Sequence, residues 1–174
     1  MPRCAFIGLG VMGYPMAGYL QNAGNQTTVY NRTVSKAEKW VEAYGGSLGA
    51  TPCEAAQDAD VVMLCVGNDD DVRSVVYGES GVLAGMTSGS VLVDHTTASA
   101  FLAKELEEAC TEKGIGFVDA PISGGQAGAE AGQLSVMCGG SQEAFSKIEQ
   151  VIEVYSKISP YLNLKEKKWL ANLI

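Results

Sequence analysis

The residues with the plainest chemical use are Gly8-Leu9-Gly10-Val11-Met12-Gly13, which fit the pattern G-x-G-x-x-G. The pattern is weak alone and strong in context. Here it follows a short apolar run, opens a stretch with helical spacing and precedes a second apolar run, as a dinucleotide-binding turn must. The chemistry comes from missing side chains. Gly8 permits the tight turn, Gly10 lets backbone approach a pyrophosphate, and Gly13 lets helix and strand pack closely. The helix that begins there offers N–H donors and a positive dipole end to the phosphates. Gly8, Leu9, Gly10, Val11, Met12 and Gly13 are therefore the expected pyrophosphate-side residues.

About 20 residues further on, an NAD-preferring protein places Asp or Glu to bond the adenosine ribose. This chain has Asn31-Arg32-Thr33 there. Asn31 does not repel a 2′-phosphate, and the planar fork of Arg32 can pair with one. The sequence predicts NADP in preference to NAD.

The elements that must hold these residues follow from periodicity. Apolar runs at 3–8, 27–30, 61–66, 90–94 and 115–120 have the length and composition of buried strands. Between them lie helical stretches. Met12, Met16 and Leu20 share one face of the first, and Phe101, Leu102, Leu106 and Ala109 are expected on the buried face of the helix over 98–113. Ser35 with Glu38, and Thr51 with Glu54, each read as a capping box that starts a helix. A late strand is expected over 134–138 and a last helix over 141–156. Strands alternating with helices predict an α/β fold: a Rossmann-type, doubly wound, mostly parallel sheet with helices on both faces.

Bulk properties exclude other classes. A net charge of −8 without a basic stripe argues against nucleic acid as a partner. No apolar stretch approaches the roughly 20 residues of a membrane span. Cys4, Cys53, Cys65, Cys110 and Cys138 are scattered with no C-x-x-C pair, so no metal site or disulfide framework is expected. Reduced core thiols suit a cytoplasmic protein. Asp69, Asp70 and Asp71 read as residues favouring the positive end of a helix, not as metal ligands. His95, the single histidine, reads as structural.

Three further segments carry a family resemblance. Asp119-Ala-Pro-Ile-Ser-Gly-Gly125, Gly128-Ala129 and Gly132-Gln-Leu-Ser-Val-Met-Cys-Gly-Gly140 resemble the substrate signature of the β-hydroxyacid dehydrogenases, which include 3-hydroxyisobutyrate dehydrogenases and semialdehyde reductases. FIGLGVMGYPMAGYL and Asp94-His95-Thr96-Thr97 are similar to that family's cofactor segments. The resemblance spans roughly residues 3 to 156. It implies a hydride transfer between a nicotinamide and a small hydroxy acid or semialdehyde. It further implies that Ser123, Gly124 and Gly125 hold the substrate carboxylate, and that Thr97 and the pair Cys65-Val66 lie at the cofactor. A hydroxyl beside two side-chain-free backbone N–H groups suits a small carboxylate.

The resemblance also implies a catalytic lysine, in the context Gly-x-Gly-x-x-x-Lys-x-x-Asn, on a helix after the cofactor domain. This sequence has Tyr161-Leu-Asn-Leu-Lys-Glu-Lys-Lys-Trp-Leu-Ala-Asn172 instead. No glycine follows Gly140, and net charge changes from −9 over residues 1–140 to +1 over 141–174. The reading is a cofactor domain over 1–158 and an atypical tail over 159–174, in a truncated or shifted reading frame. No catalytic role is transferred to Lys165, Lys167 or Lys168. The resemblance implies oligomerisation through the helical domain that follows; without the lysine in its motif, the chain alone is expected to be nearly inactive. The alternative is a binding module that holds NADP without catalysis. The related 6-phosphogluconate dehydrogenases need extra basic residues for a substrate phosphate, and none suitable is found.

Overall fold

The computed structural model describes residues 1–163. Its elements run β1 (Arg3–Ile7), α1 (Gly13–Asn22), β2 (Gln26–Tyr30), α2 (Val34–Tyr44), β3 (Ser47–Leu48), α3 (Pro52–Ala56), β4 (Val61–Leu64) and α4 (Asp69–Val76). There follow α5 (Val82–Gly85), β5 (Val91–Asp94), α6 (Ala100–Glu112), β6 (Gly116–Asp119), β7 (Ile122–Ser123), α7 (Gly125–Glu130), β8 (Leu134–Val136) and β9 (Cys138–Gly140). The described chain ends in α8 (Gln142–Ile152), a 3-10 turn (Glu153–Tyr155), β10 (Ser156–Ile158) and β11 (Tyr161–Asn163).

The apolar strands have no polar face because both of their faces are covered. Along β1, Cys4 and Phe6 join one core cluster while Ala5 and Ile7 join the other. Val61 and Met63 alternate with Val62 and Leu64 along β4 in the same way. Strands buried on both faces are the signature of a parallel sheet between helical layers. The sheet order is β11-β9-β6-β5-β4-β1-β2-β3, and the six strands from β3 to β6 run parallel. This is the Rossmann order, 3-2-1-4-5-6. Strand order reverses between β1 and β4, which opens a crevice at their carboxyl ends.

Several sequence expectations are corrected. Phe101 is 86% exposed; Leu102, Leu106 and Cys110 form the buried stripe of α6. Apolar spacing is the same at 101 as at 102, and only the packing of the helix on β6 separates them. The box expected at Ser35 does not form: α2 starts two residues earlier than a cap at Ser35 requires, and its N-cap, Thr33, makes no side-chain cap bond. Thr51 does cap α3, accepting from the Glu54 N–H at 3.1 Å, while Glu54 Oε2 accepts from Ala50 N–H at 2.9 Å. The late strand divides at Met137 into β8 and β9, which belong to different sheets. Met137 N–H donates to Pro121 O at that crossing. The last helix stops at Ile152 and tightens to a 3-10 turn.

β9 runs antiparallel to β6, and β11 pairs parallel to β9 through Tyr161, Leu162 and Asn163. The sheet thus continues past residue 158, where the cofactor domain was expected to end. Lys165, Lys167, Lys168 and Asn172 lie outside the described residues.

Candidate functional site

A cleft of about 720 Å³ opens at the carboxyl ends of β1, β2 and β4. That volume lies in the range of small-molecule and cofactor sites. Gly8, Gly10, Val11, Met12 and Gly13 form its floor; Asn31, Arg32 and Thr33 one rim; and Cys65 and Val66 the far end.

The turn after β1 is built by exclusion. Gly8 has φ +100°, and a Cβ there would strike the Cys65 carbonyl oxygen. A Cβ on Gly13 would strike the Gly8 carbonyl oxygen. Neither position tolerates a side chain, for reasons internal to the protein. Gly10 differs: no protein atom lies within 4 Å of where its Cβ would stand. The missing side chain at 10 keeps the cleft open, so the residues present fit a group that needs close backbone approach. Directly behind it α1 begins, with no side chain capping its first turn. Helix N-termini of this kind attract anions.

Leu9 has a different role from the glycines around it. Its side chain is buried in the core, and its N–H donates to Asn31 Oδ1 at 2.8 Å. Asn31 Nδ2 donates in turn to Thr33 O at 3.0 Å. Asn31 therefore holds the glycine turn to the end of β2, and its amide is committed to protein. Arg32 is free of such commitments, with a side chain 89% exposed and an Nη1 3.8 Å from Asp71 Oδ1 across the cleft mouth. An ion pair so exposed is weak and easily exchanged.

Sequence reasoning missed part of the lining. Lys36, Thr51, Pro52, Asp71, Ser74 and Ser80 also face the cleft. Lys36 stands one helical turn after Thr33, so it adds a second cation to the Arg32 rim. The available signal was the fold rule itself: loops after β3 and β4 leave the same sheet edge that carries the glycine turn.

The Cys65 N–H donates to Ile7 O at 2.9 Å, and the Val66 N–H donates to Thr96 Oγ1 at 3.1 Å. Burial, with Asp94 adding to it, pushes the Cys65 thiol up to about 12, so it stays protonated and contributes shape. Thr97 is exposed beyond the end of β5 and does not line the cleft. Ser123, Gly124 and Gly125 lie outside it as well. Ser123 pairs with Ser135, and Gly124 and Gly125 adopt φ of +135° and +61° at the start of α7. Asp94 and Asp119 are partners in register at the ends of β5 and β6. The loop carrying Thr97 and the turn carrying Ser123 therefore leave the sheet from adjacent strands.

The three aspartates lie in the first turn of α4, and their carboxylates go to separate partners: Asp69 to Ser99, Asp70 to Arg73 and Asp71 to Arg32. Asn68 Oδ1 accepts from Asp71 N–H at 3.0 Å, and Asp69 accepts from the Ser99 N–H at 2.9 Å and from the Ser99 hydroxyl. The Ser99 hydroxyl and N–H hold the Asp69 carboxyl below its usual range.

Fold and cleft define an α/β protein of Rossmann type. Residues 3–165 match the family described as the NAD binding domain of 6-phosphogluconate dehydrogenase, and the chain belongs to that family. A protein of Shewanella frigidimarina named "Uncharacterized oxidoreductase" is 56% identical over 162 residues, covering 93% of this chain and 56% of that protein. The "Probable 3-hydroxyisobutyrate dehydrogenase-like 1, mitochondrial" of Arabidopsis thaliana is 39% identical, over 90% of this chain and 47% of that one. A solved Mycobacterium tuberculosis 3-hydroxyisobutyrate dehydrogenase with L-serine superposes with a TM-score of 0.88 at 28% identity, over 99% of this chain and 59% of that one. The resemblance to the β-hydroxyacid dehydrogenases is thus borne out. The chain spans about half the length of the curated relatives it matches.

Proposed function

We propose that this chain binds NADP in the cleft after β1 and orients a small carboxylate for hydride transfer, as in a 3-hydroxyisobutyrate dehydrogenase-like enzyme. The observation that carries the reading is the open space at Gly10, in a cleft at the sheet's switch point with Arg32 and Lys36 on its rim. Bound NADPH would supply a hydride at its nicotinamide. The protein's part is positional. Gly8, Gly10 and Gly13 admit the pyrophosphate to the start of α1, Arg32 and Lys36 receive the 2′-phosphate, and Cys65, Val66 and Thr97 border the nicotinamide. Arg32 would exchange its weak bond to Asp71 for a charge-assisted one to phosphate. Ser123 and the backbone of Gly124 and Gly125 would hold the substrate carboxylate, a role supported by the family and by the L-serine named with the mycobacterial relative.

The motif Gly-x-Gly-x-x-x-Lys-x-x-Asn does not occur in the 174 residues. General acid–base assistance is worth about 10²–10⁴-fold, so turnover by this chain alone is expected to be slight. That same observation favours the second reading, a module that binds NADP without catalysis. Two measurements test the proposal. Calorimetric titration should show tighter binding of NADPH than NADH, with the preference abolished in Arg32→Asp; equal affinities in the unaltered chain would refute the NADP assignment. An assay with NADPH and a three- or four-carbon semialdehyde should give a rate far below that of a full-length relative. Comparable rates would refute the inactivity.

A further inference from the structure

His95 is enclosed, with 1% of its surface exposed, yet it makes hydrogen bonds on every side. Its backbone N–H donates to Leu64 O at 2.8 Å. Its Nδ1 lies 2.7 Å from Ala120 O, and its Nε2 lies 2.8 Å from the Tyr155 hydroxyl. A carbonyl oxygen can only accept, so Nδ1 carries the hydrogen. In a neutral imidazole that leaves Nε2 as the acceptor, and the Tyr155 hydroxyl must donate to it. Tyr155 is itself fully buried, its ring meeting the imidazole edge-on at 5.6 Å between centroids. The sulfur of Met63, a weaker acceptor, lies 3.6 Å from the same hydroxyl.

These bonds join four pieces of chain that are distant in sequence: the end of β4, the loop after β5, the residue after β6, and the 3-10 turn. The two middle pieces are those to which the proposed function assigns the nicotinamide end and the carboxylate. His95 is two residues before Thr97, and its neighbour Thr96 holds the Val66 N–H. Ala120 is three residues before Ser123. A buried polar group without partners is costly, whereas a fully bonded one rigidifies what it connects. Apolar side chains could fill the same space but would not fix the direction of either segment.

We propose that His95 and Tyr155 are a positioning pair, which sets the loop carrying Thr97 against the turn carrying Ser123 through one imidazole of defined tautomer. The inference rests on the reading of the cleft as a dinucleotide site. Neither residue touches the ligands; both act through the backbone they hold. Misplacement by about 1 Å at reacting groups is enough to matter.

The test uses the 174-residue chain. NADP⁺ and NAD⁺ are titrated beside the same molecules lacking nicotinamide, ADP-ribose 2′-phosphate and ADP-ribose. In Tyr155→Phe, affinity for the preferred dinucleotide should fall about fivefold, the worth of one ordinary hydrogen bond. Affinity for its nicotinamide-free counterpart should stay within about twofold, because the glycine turn and Arg32 rim lie elsewhere. An equal loss for both probes, or no loss for either, overturns the positioning role. Failure of the unaltered chain to bind any probe overturns the cofactor reading and the positioning role with it. The tautomer is read on the unaltered chain: ring ¹⁵N shifts of its single histidine should report a neutral Nδ1–H form at pH 7. An Nε2–H or charged form overturns the inference even if Tyr155→Phe does not fold.

Discussion

Asn31 Oδ1 accepts the Leu9 N–H at 2.8 Å, so one side chain at the end of β2 holds the glycine turn after β1. A residue at the position where sequence spacing expects a ribose contact is thus engaged in shaping the floor of the cleft. Asn31→Ala leaves the Leu9 N–H without this partner at a part-buried site, a loss of about 1–3 kcal/mol. Titration should show weaker binding for every adenine dinucleotide, with or without a 2′-phosphate. A selective loss of NADP alone would mean that Asn31 acts on the phosphate directly.

The glycines of the turn should separate stability from binding. Gly13→Ala and Gly8→Ala each drive a Cβ into backbone oxygen, and strain of that kind costs about 1–3 kcal/mol. Thermal denaturation should record the drop. Gly10→Ala meets no protein atom within 4 Å, so its melting temperature should hardly change while dinucleotide affinity falls. A Gly10→Ala chain that binds normally would argue that no ligand approaches this backbone.

Two apparently equivalent caps should behave differently. Thr51→Ala removes a formed N-cap bond and should cost about 1 kcal/mol in denaturant unfolding. Ser35→Ala lies inside α2, where no cap bond is made, and should be neutral or slightly stabilising. Phe101→Ser should also stay within about 0.5 kcal/mol, as expected for an exposed site. A large loss at Phe101 would place that ring in a contact the described residues do not contain.

Asp94 and His95 make opposed contributions to stability as pH changes. Burial raises the Asp94 carboxyl to about 7; Asp119 and Asp69 push the same way and the Thr96 hydrogen bonds oppose them. The folded state favours its protonated form, so its contribution is complete below about pH 4 and is lost as pH rises through about 7. Burial lowers His95 to about 4 against its bond to Ala120. Its contribution is present above about pH 6.5 and is lost as pH falls through about 4. The two slopes oppose one another between these limits. Asp94→Asn removes the first, and urea midpoints should then rise with pH between about 5 and 6.5 more steeply than in the unaltered chain. Parallel curves for the two proteins would contradict the assignment to Asp94.

Much of this was legible in the chain. Apolar runs without polar alternation mark strands covered on both faces, and the glycine turn between the first run and a helix marks the cleft. Local chemistry was enough for those features because their causes are local: a missing Cβ, a strand-length run, a helix start. Other features depend on what lies opposite. Phe101 and Leu102 are adjacent apolar residues, and only the seat of α6 on β6 decides which is buried. Residues 134–138 read as one strand, yet they divide between β8 and β9, which lie in separate sheets.

By itself the sequence determined the parallel α/β order, the position of the glycine turn and the family, since each is written in residue types at fixed spacing. Tertiary structure decided that Lys36 and Thr51 face the same cleft, that Asn31 holds Leu9, and that His95 is locked by Ala120 and Tyr155. Those relationships join residues up to 60 positions apart. Hydrogen bonds and burial act over a few ångströms of space, and spacing along the chain carries no record of which distant backbone will arrive there.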